Sequence, residues 1–349
     1  MKKILIILLL LIMLPVNASS IVMDIDTNRI LYEENKDDQR LIASITKIMT
    51  AIIVIENNPN LDKKVTITDD ILTMYGTSIY LEVGEEMTIR DLLYGLILRS
   101  GNDAALALAI ETSKTEENFV KLMNKKAKEL NMKNTIFENS HGLDEETKNK
   151  STSYDMAILS SYAYKNPIYQ EISSTKKYQT KTKNKSYIWY NRNKLLTNYK
   201  YTTGGKNGYT PSAGKTLVTT ASKNKLNLTV VTLNEANENE LHKSLYEQAF
   251  NNYKNYTIID KNNFYIDKNF YNEETYIKES FIYPLKENEL KEITTRVDLV
   301  QEKDKVGQIS IYLKNNKIGE VSIYKKESIK KEESLFKKFF TKLKSLFTF

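Results

Sequence analysis

The chain of 349 residues contains no cysteine, and this absence removes several classes of protein at once. A chain without thiols cannot form disulfides, cannot use a cysteine nucleophile and cannot hold zinc or iron–sulfur clusters through sulfur. Histidine is also scarce. His141 and His242 are its only two positions, so a metal site built on three histidines is excluded as well. Apolar burial and hydrogen bonding must therefore stabilise the fold.

Most of the chain has no net positive charge, although the formal net charge of the whole sequence is +7. Segment 1–18 holds two lysines and segment 325–349 holds eight lysines against three glutamates, so the body, 19–324, is neutral. A neutral body argues against nucleic acid as a partner, because phosphate contacts require clustered positive charge. The composition, 41% apolar and 27% charged, is typical of a globular chain long enough for two domains.

The first 18 residues have the pattern of an export signal. Lys2 and Lys3 precede eleven apolar residues, 4–14, and the small residue Ala18 follows at a suitable cleavage position. The alternative is an uncleaved membrane anchor, but such a run is too short to cross a hydrocarbon layer of about 30 Å. We expect 1–18 to be a signal peptide and the mature protein to act at the outer face of the cytoplasmic membrane.

The last segment, 325–349, has the pattern of a basic amphipathic helix. Its apolar residues recur at spacings of three and four, with lysines on the rest of the helical wheel; the apolar set is Leu335, Phe336, Phe339, Phe340, Leu343, Leu346 and Phe347. A terminal helix packed on its own domain would show the same spacing. A lysine face opposite phenylalanines favours a helix that lies on an anionic membrane surface.

Hydrophobic periodicity divides the body into two parts. A hairpin near 21–32 precedes helices that begin at Ser44 and Thr88 and near 103, 116 and 153; strands at 216–221 and 226–233 and a helix at 238–250 follow. This order predicts an α+β fold with a helical insert over 19–252. Short strand-like runs with polar turns over 256–324 predict a small all-β domain.

Ser44 and Lys47 form an S-x-x-K element at the start of a strongly apolar helix. Seven other serines also have lysine three residues on, but they lie in polar stretches where the lysine stays solvated and protonated. A lysine one turn into an apolar helix is partly desolvated, which lowers its pKa and makes the neutral amine available as a base. The competing interpretation is that Ser44 is a helix N-cap and Lys47 lies on the surface.

Two further elements follow in order. Ser100-Gly101-Asn102 interrupts two helices, and Lys206-Asn207-Gly208-Tyr209-Thr210 begins the strand region. The ordered set of S-x-x-K, S-x-N and K-x-G resembles the serine penicillin-recognising enzymes. The flanking segments LIASITKIMTAIIVIE, LLYGLILRSGNDAALALA, NSHGLDEE, NRNKLL and GGKNGYTPSAGKTLV resemble those of the low-molecular-mass penicillin-binding D-alanyl-D-alanine carboxypeptidases. The likeness extends over nearly the whole mature chain.

The resemblance implies the fold of that family, a penicillin-recognising serine transpeptidase/β-lactamase-like catalytic domain, and a role for each motif residue. Ser44 would attack the carbonyl between the two terminal D-alanines of a peptidoglycan stem peptide, Lys47 would accept its proton, and Ser100 would relay a proton to the leaving amine. The residues implied in substrate binding are Asn102, Lys206, Asn207, Gly208, Tyr209 and Thr210. β-Lactams would acylate the same serine, and neither a metal nor a cofactor is implied.

Asn102 would also hold Lys47, Lys206 would supply a positive charge that keeps Lys47 deprotonated and attracts the substrate carboxylate, and the backbone N–H groups of Ser44 and Tyr209 would form the oxyanion hole. Two departures concern the carboxylate. The usual K-T-G is K-N-G here, and the arginine usual near the closing helix is replaced by the acidic stretch 236–240.

Three rival hypotheses follow from the residues. A class A β-lactamase would need an E-x-x-L-N element, which is absent, and a Ser-His-Asp hydrolase would need His141 as its base without a G-x-S-x-G element. His141 fits a loop-bracing role better. The third rival is a catalytically weak, membrane-tethered muropeptide-binding module, which the two departures favour.

Overall fold

The computed structural model describes residues 18–183, 185–300 and 304–326. Apart from Ala18 at one end and Lys325 and Lys326 at the other, the predicted signal peptide and the predicted amphipathic helix lie outside these residues. Within the described ranges, no helix has the length and apolar character needed to span a membrane.

The described residues divide into two compact units, one that ends at Lys254 and one that starts at Asn255. The first unit is mixed helix and sheet, which confirms the predicted α+β class. Its strands are β1 (Ser19–Asp24), β2 (Ile30–Glu34), β3 (Arg40–Leu41), β4 (Lys64–Thr66), β5 (Glu86–Thr88), β6 (Lys150–Ser151), β7 (Lys177–Lys181), β8 (Ser186–Tyr190), β9 (Thr202–Thr210), β10 (Gly214–Lys223) and β11 (Leu226–Leu233). Its helices are α1 (Lys47–Asn57), α2 (Ile89–Tyr94), α3 (Asn102–Ser113), α4 (Glu116–Glu129), α5 (Ser153–Tyr164), α6 (Pro167–Ser174), α7 (Leu195–Asn198) and α8 (Glu238–Asn252).

A five-stranded antiparallel sheet, in the order β2-β1-β11-β10-β9, separates two hydrophobic cores. Successive side chains of a strand point to opposite faces. On β1, Ile21 and Met23 enter the larger core with α1 and α5, whereas Val22 enters the smaller core beneath α8. The strand that carries the K-N-G element, β9, is the last strand of this sheet.

The helical insert places the S-x-N element between α2 and α3. The helix α2 begins at a capping box, in which Thr88 Oγ1 accepts from Asp91 N at 3.0 Å and Thr88 N donates to the Asp91 carboxylate at 3.3 Å. A π-helical turn, Gly95–Arg99, follows directly. It ends because Ser100 adopts a left-handed conformation with φ +67°, and α3 then starts at Asn102. Such a π-turn is often found at functional sites.

The second unit contains a two-stranded sheet, β12-β14, and a four-stranded sheet, β13-β17-β16-β15. Its strands are β12 (Lys254–Ile259), β13 (Thr275–Ile277), β14 (Phe281–Leu285), β15 (Ile293–Leu299), β16 (Lys305–Leu313) and β17 (Asn316–Lys325). A short 3-10 helix, Glu287–Glu292, interrupts a region that the sequence predicts as strand and turn only. The expected hairpin is present as β16 and β17.

Candidate active site

Ser44 lies in a 3-10 turn, Ala43–Thr46, and not in the α-helix that the periodicity predicts from this residue. The α-helix α1 starts three residues later, at Lys47, and no side chain caps either element. The interpretation of Ser44 as an N-cap is therefore wrong. The turn is anchored by a bond of 2.8 Å from Thr46 Oγ1 to the Ala43 carbonyl, and Ala43 itself has a strained φ of +48°.

Lys47 is completely buried. The competing interpretation, in which Lys47 lies on the surface, is therefore wrong. Its Nζ lies 3.1 Å from Ser44 Oγ, 2.8 Å from Asn102 Oδ1 and 2.5 Å from the His141 carbonyl oxygen. Two of these partners can only accept hydrogen bonds. A neutral amine that donates its two protons to them has its lone pair left for the third partner. That partner is the hydroxyl of Ser44.

The pKa of Lys47 falls from its ordinary 10.5 to about 7. Burial is the main cause; the charge of Asp103 opposes the shift, and the charge of Arg192 adds to it. A large share of the molecules therefore carries a neutral amine at this position near neutral pH. The direction of this shift and its cause agree with the predicted desolvation of Lys47, and the role of Lys47 as a base stays a prediction.

Ser100 and Lys206 form a second buried serine–lysine pair, exposed by 4% and 1% respectively. Lys206 Nζ donates to Ser100 Oγ at 3.0 Å and to the carbonyl oxygen of Asn207 at 2.6 Å. Burial lowers the pKa of Lys206 well below its ordinary value, and the charges of Lys47 and Arg192 lower it further. The expectation that Lys206 supplies a positive charge to the site stays a prediction. Arg192 is the cation that lowers the pKa of Lys47.

Asn102 contacts Lys47 and is itself held by hydrogen bonds to the backbone. Its Oδ1 accepts from Lys47 Nζ, its Nδ2 donates to the Tyr75 carbonyl at 2.7 Å, and its backbone N–H donates to the Thr77 carbonyl at 2.8 Å. The side chain is 3% exposed. These bonds fix the amide so that its oxygen faces the lysine.

The strand β9 brings the K-N-G element against the Ser44 turn. A Cβ on Gly208 would lie 2.6 Å from Thr216 Oγ1 and 2.7 Å from Ser44 N, so only glycine permits this approach. Tyr209 has a side chain that is 65% exposed, and Asn207 is half-buried. The side chains of these two residues are thus at least partly accessible to solvent.

Thr210 belongs to the predicted substrate-binding set, but its hydroxyl is already engaged inside the protein. It donates to Asp144 Oδ2 at 2.6 Å and accepts from Ala213 N at 3.0 Å, and the residue is 7% exposed. Its bonds fix the end of β9 to the loop that carries Asp144.

That loop, 139–149, supplies a part of the site that the motifs alone do not indicate. Asn149 Nδ2 donates to Thr46 Oγ1 at 3.0 Å, which ties the loop to the Ser44 turn. The same loop holds the His141 carbonyl oxygen against Lys47 Nζ. Gly142 reaches this position with φ +91°, a conformation in which glycine is strongly favoured.

His141 braces the loop, as the sequence predicts. Its Nδ1 accepts from the Leu143 N–H at 3.1 Å, and burial, aided by the charge of Lys47, lowers its pKa to about 3. The hydrogen bond that His141 contributes to Lys47 comes from the backbone. In the described residues the hydroxyl of Ser44 contacts a lysine and not an imidazole.

A serine that contacts a buried lysine amine, with a second serine–lysine pair beside it on an α+β scaffold, defines the class of the serine penicillin-recognising proteins. The D-alanyl-D-alanine carboxypeptidase family matches residues 15–237, and the chain belongs to this family.

Individual relatives agree with this assignment. The chain is 34% identical over 252 residues to D-alanyl-D-alanine carboxypeptidase DacF of Bacillus subtilis (strain 168), a match that covers 70% of this chain and 64% of that protein. It is 36% identical over 214 residues to the D-alanyl-D-alanine carboxypeptidase of Streptomyces sp. (strain K15), covering 56% of this chain and 73% of the relative. Penicillin binding protein 6B from Escherichia coli has a similar structure, with a TM-score of 0.70 and 28% identity over 87% of this chain and 93% of that one.

The first prediction concerns the pH dependence of Ser44 acylation. Lys47 accepts a proton only as the neutral amine, so the acylation rate should rise about tenfold per pH unit below pH 7 and level off above it. Stopped-flow labelling with a fluorescent penicillin between pH 5 and 9 measures this profile. A rate that keeps rising to pH 9 would show that Lys47 retains an ordinary pKa.

The second prediction concerns the close approach of β9. Gly208→Ala should lower the free energy of unfolding by about 1–3 kcal/mol and slow penicillin acylation at least about tenfold, because the methyl group pushes β9 away from Ser44. Gly84→Ala is the matched control. Gly84 has φ +83° and no neighbour within 4 Å, so alanine there should destabilise the protein without changing acylation. Equal acylation rates in both variants would contradict the interpretation.

Proposed function

We propose that this protein is an exported serine-type D-Ala-D-Ala carboxypeptidase, which removes the terminal D-alanine from peptidoglycan stem pentapeptides and is acylated by β-lactams. The observation that carries the proposal is the 3.1 Å contact between Ser44 Oγ and the Nζ of a fully buried Lys47. The relatives named above support the substrate class, because their names state that they act on D-alanyl-D-alanine.

Acylation starts with transfer of the Ser44 hydroxyl proton to the Lys47 amine while the serine oxygen bonds to the carbonyl carbon of the penultimate D-alanine. The carbonyl oxygen becomes an oxyanion. The backbone N–H groups of Ser44 and Tyr209 stabilise it, a device worth about 3 kcal/mol per donor. Gly208 supports this arrangement, because it brings β9 beside Ser44 N.

The intermediate collapses when the bond between the carbonyl carbon and the nitrogen of the terminal D-alanine breaks. The leaving amine needs a proton, and Ser100 relays to it the proton that Lys47 took. The hydrogen bond from Lys206 Nζ to Ser100 Oγ, 3.0 Å, orients this hydroxyl. Water then attacks the acyl-enzyme with Lys47 as base, which releases the shortened peptide and restores Ser44.

The substrate lies along the outer edge of β9 as an added strand. The position of β9 at the end of the five-stranded sheet supports the proposal, because its outer edge has backbone groups available for pairing. The carbonyl oxygen of Asn207 already accepts a hydrogen bond from Lys206. The substrate backbone therefore pairs mainly with the residues of β9 that follow Asn207.

The third prediction tests the activity itself. The mature protein should release D-alanine from a stem pentapeptide, and Ser44→Ala should release none, because the nucleophile is lost. Chromatography of the peptide products measures the release, and labelling by fluorescent penicillin measures acylation in parallel. Penicillin labelling without D-alanine release would overturn the carboxypeptidase proposal in favour of a muropeptide-binding module.

We also propose that residues 1–18 direct export and that residues 325–349 bind the membrane surface. The lysine-rich apolar pattern of the last segment supports peripheral attachment to anionic lipid. The catalytic unit then works on the outer face of the cytoplasmic membrane, where stem peptides are found.

The fourth prediction concerns this attachment. Deletion of 334–349 should move the mature protein from the membrane fraction to the supernatant, because it removes the apolar face and four lysines. Flotation with anionic vesicles, compared with zwitterionic vesicles, measures the binding. The penicillin acylation rate is the control for folding. A truncated protein that still floats with anionic vesicles would refute the proposal.

A further inference from the structure

The strand β15 forms one edge of the four-stranded sheet in the second unit, in the order β13-β17-β16-β15. Edge strands in soluble proteins are usually short, bulged or protected by lysine or proline, because free backbone groups pair readily with other chains. β15 lacks these protections. Its seven residues contain neither lysine nor proline, and they pair with β16 without a register shift. The opposite edge of the sheet, β13, has only three residues. β15 is therefore a long and regular edge that is open to pairing.

Every second residue of β15 directs its backbone groups away from β16. The carbonyl oxygen of Glu292 accepts from Lys314 N at 3.0 Å, and Val300 N donates to the Val306 carbonyl at 2.9 Å, so the even-numbered residues bond on the β16 side. In an antiparallel ladder, the N–H and C=O of one residue point to one side and those of the next residue to the other. The residues of β15 that direct both groups outward within the strand's last five positions are Thr295, Val297 and Leu299.

Two of these residues carry apolar side chains that the protein leaves exposed. Val297 lies opposite Ile309 in the ladder, so both side chains are on the same face of the sheet. Ile309 belongs to the core of the second unit and is 3% exposed, whereas Val297 is 49% exposed and Leu299 is 42% exposed. The apolar face of the sheet thus continues to its edge without cover. A strand added at this edge would bury part of that face.

The other face of β15 carries one cation and one anion on either side of Val297. Arg296 Nε and Asp298 Oδ1 are 2.9 Å apart along the strand, and both side chains are exposed. A two-fold axis through Val297 would place Arg296 of each copy opposite Asp298 of the other. An axis through Arg296 or Asp298 would instead place two like charges opposite each other, which destabilises a strand pair. Charge complementarity therefore selects the axis at Val297.

We propose that β15 pairs with β15 of a second copy of this chain, antiparallel about a two-fold axis at Val297, so that two protomers share one eight-stranded sheet. Thr295 and Leu299 of one copy pair with Leu299 and Thr295 of the other, and Val297 pairs with its own copy. Each of these pairs exchanges two backbone hydrogen bonds. The contact is the addition of one strand to each protomer, a size typical of weak and reversible association.

A second copy fits this edge better than an unrelated strand does. An unrelated strand would need no relation between the charges that flank Val297, whereas self-pairing requires opposite charges at equal distances from the axis. Arg296 and Asp298 meet that requirement. The inference is independent of the proposed enzymatic activity, because β15 belongs to the second unit.

The fifth prediction concerns the charges across the axis. Sedimentation velocity of the full mature protein should show a monomer–dimer equilibrium at about 10–100 μM. Arg296→Asp and Asp298→Arg should each weaken dimerisation at least about tenfold, because each change places two like-charge pairs across the axis. An equimolar mixture of the two variants should dimerise again, because an acidic strand then faces a basic one. The double variant, Arg296→Asp with Asp298→Arg, should also dimerise.

The mixture separates pairing between copies from a structural effect within one chain. Each single variant loses the ion pair along its own strand, and mixing does not restore that pair. A mixture that stays monomeric would therefore overturn the inference, and so would a dimer that neither single variant weakens. A parent protein that stays monomeric over this range would also overturn it and would leave the edge to a different partner.

The absence of cysteine from the chain allows the position of the axis to be tested directly. Val297→Cys places two thiols opposite each other at the axis. Leu299→Cys is the matched control on the same face, and it places the two positions about 14 Å apart along the strands. Diamide, which is reduced as two thiols become a disulfide, should cross-link Val297→Cys at least about tenfold faster than Leu299→Cys. Equal rates, or faster cross-linking of Leu299→Cys, would contradict the proposed axis and overturn the inference.

Discussion

The chemistry proposed for this protein depends on one buried amine. Lys47 is removed from water at the first residue of α1, where two oxygens that can only accept hydrogen bonds, from Asn102 and His141, lie beside its Nζ. A buried ammonium without a carboxylate partner is unfavourable, so the neutral form gains population. In the proposed mechanism the lone pair of that form accepts the proton of Ser44 Oγ, which gives the hydroxyl a base without the use of imidazole.

The rest of the catalytic unit holds this amine in place. The α3 N-terminus provides Asn102, the loop 139–149 provides the carbonyl oxygen of His141, and β9 closes against the serine through Gly208. These segments are far apart in the sequence, so the site exists only when the sheet and the helical insert are both folded. The second serine–lysine pair repeats the same design, with Lys206 buried beside Ser100.

The helices and strands with strong hydrophobic periodicity could be predicted from the sequence, and so could the site residues that lie in motifs. The hairpin β1–β2, the helices α4 and α5 and the ladder β10–β11 match their expected positions, because alternation and 3.6-residue spacing directly encode which face is buried. The convergence of Ser44, Lys47, Ser100 and Lys206 also followed from the family resemblance. Local patterns alone would have supported an N-cap at the first of these positions.

The missed features depend on tertiary contacts. The 3-10 turn at Ser44 exists because loop 139–149 and β9 press against it, which no local pattern encodes. The strands β7 and β8 have five residues each and the helix α6 has eight, so each segment is too short for its hydrophobic pattern alone to predict it. The burial of Lys206 follows from its position beside the Ser100 turn.

The central claim is that burial makes Lys47 a neutral base at physiological pH. The most direct measurement is an NMR titration of the lysine side chains, labelled with carbon-13 at the ε position, with Lys47→Arg used to assign the resonance. We expect a titration midpoint near 7 for Lys47, against the ordinary 10.5. A midpoint near 10 in the folded protein would contradict it, since Ser44 would then have a charged ammonium beside it and no base.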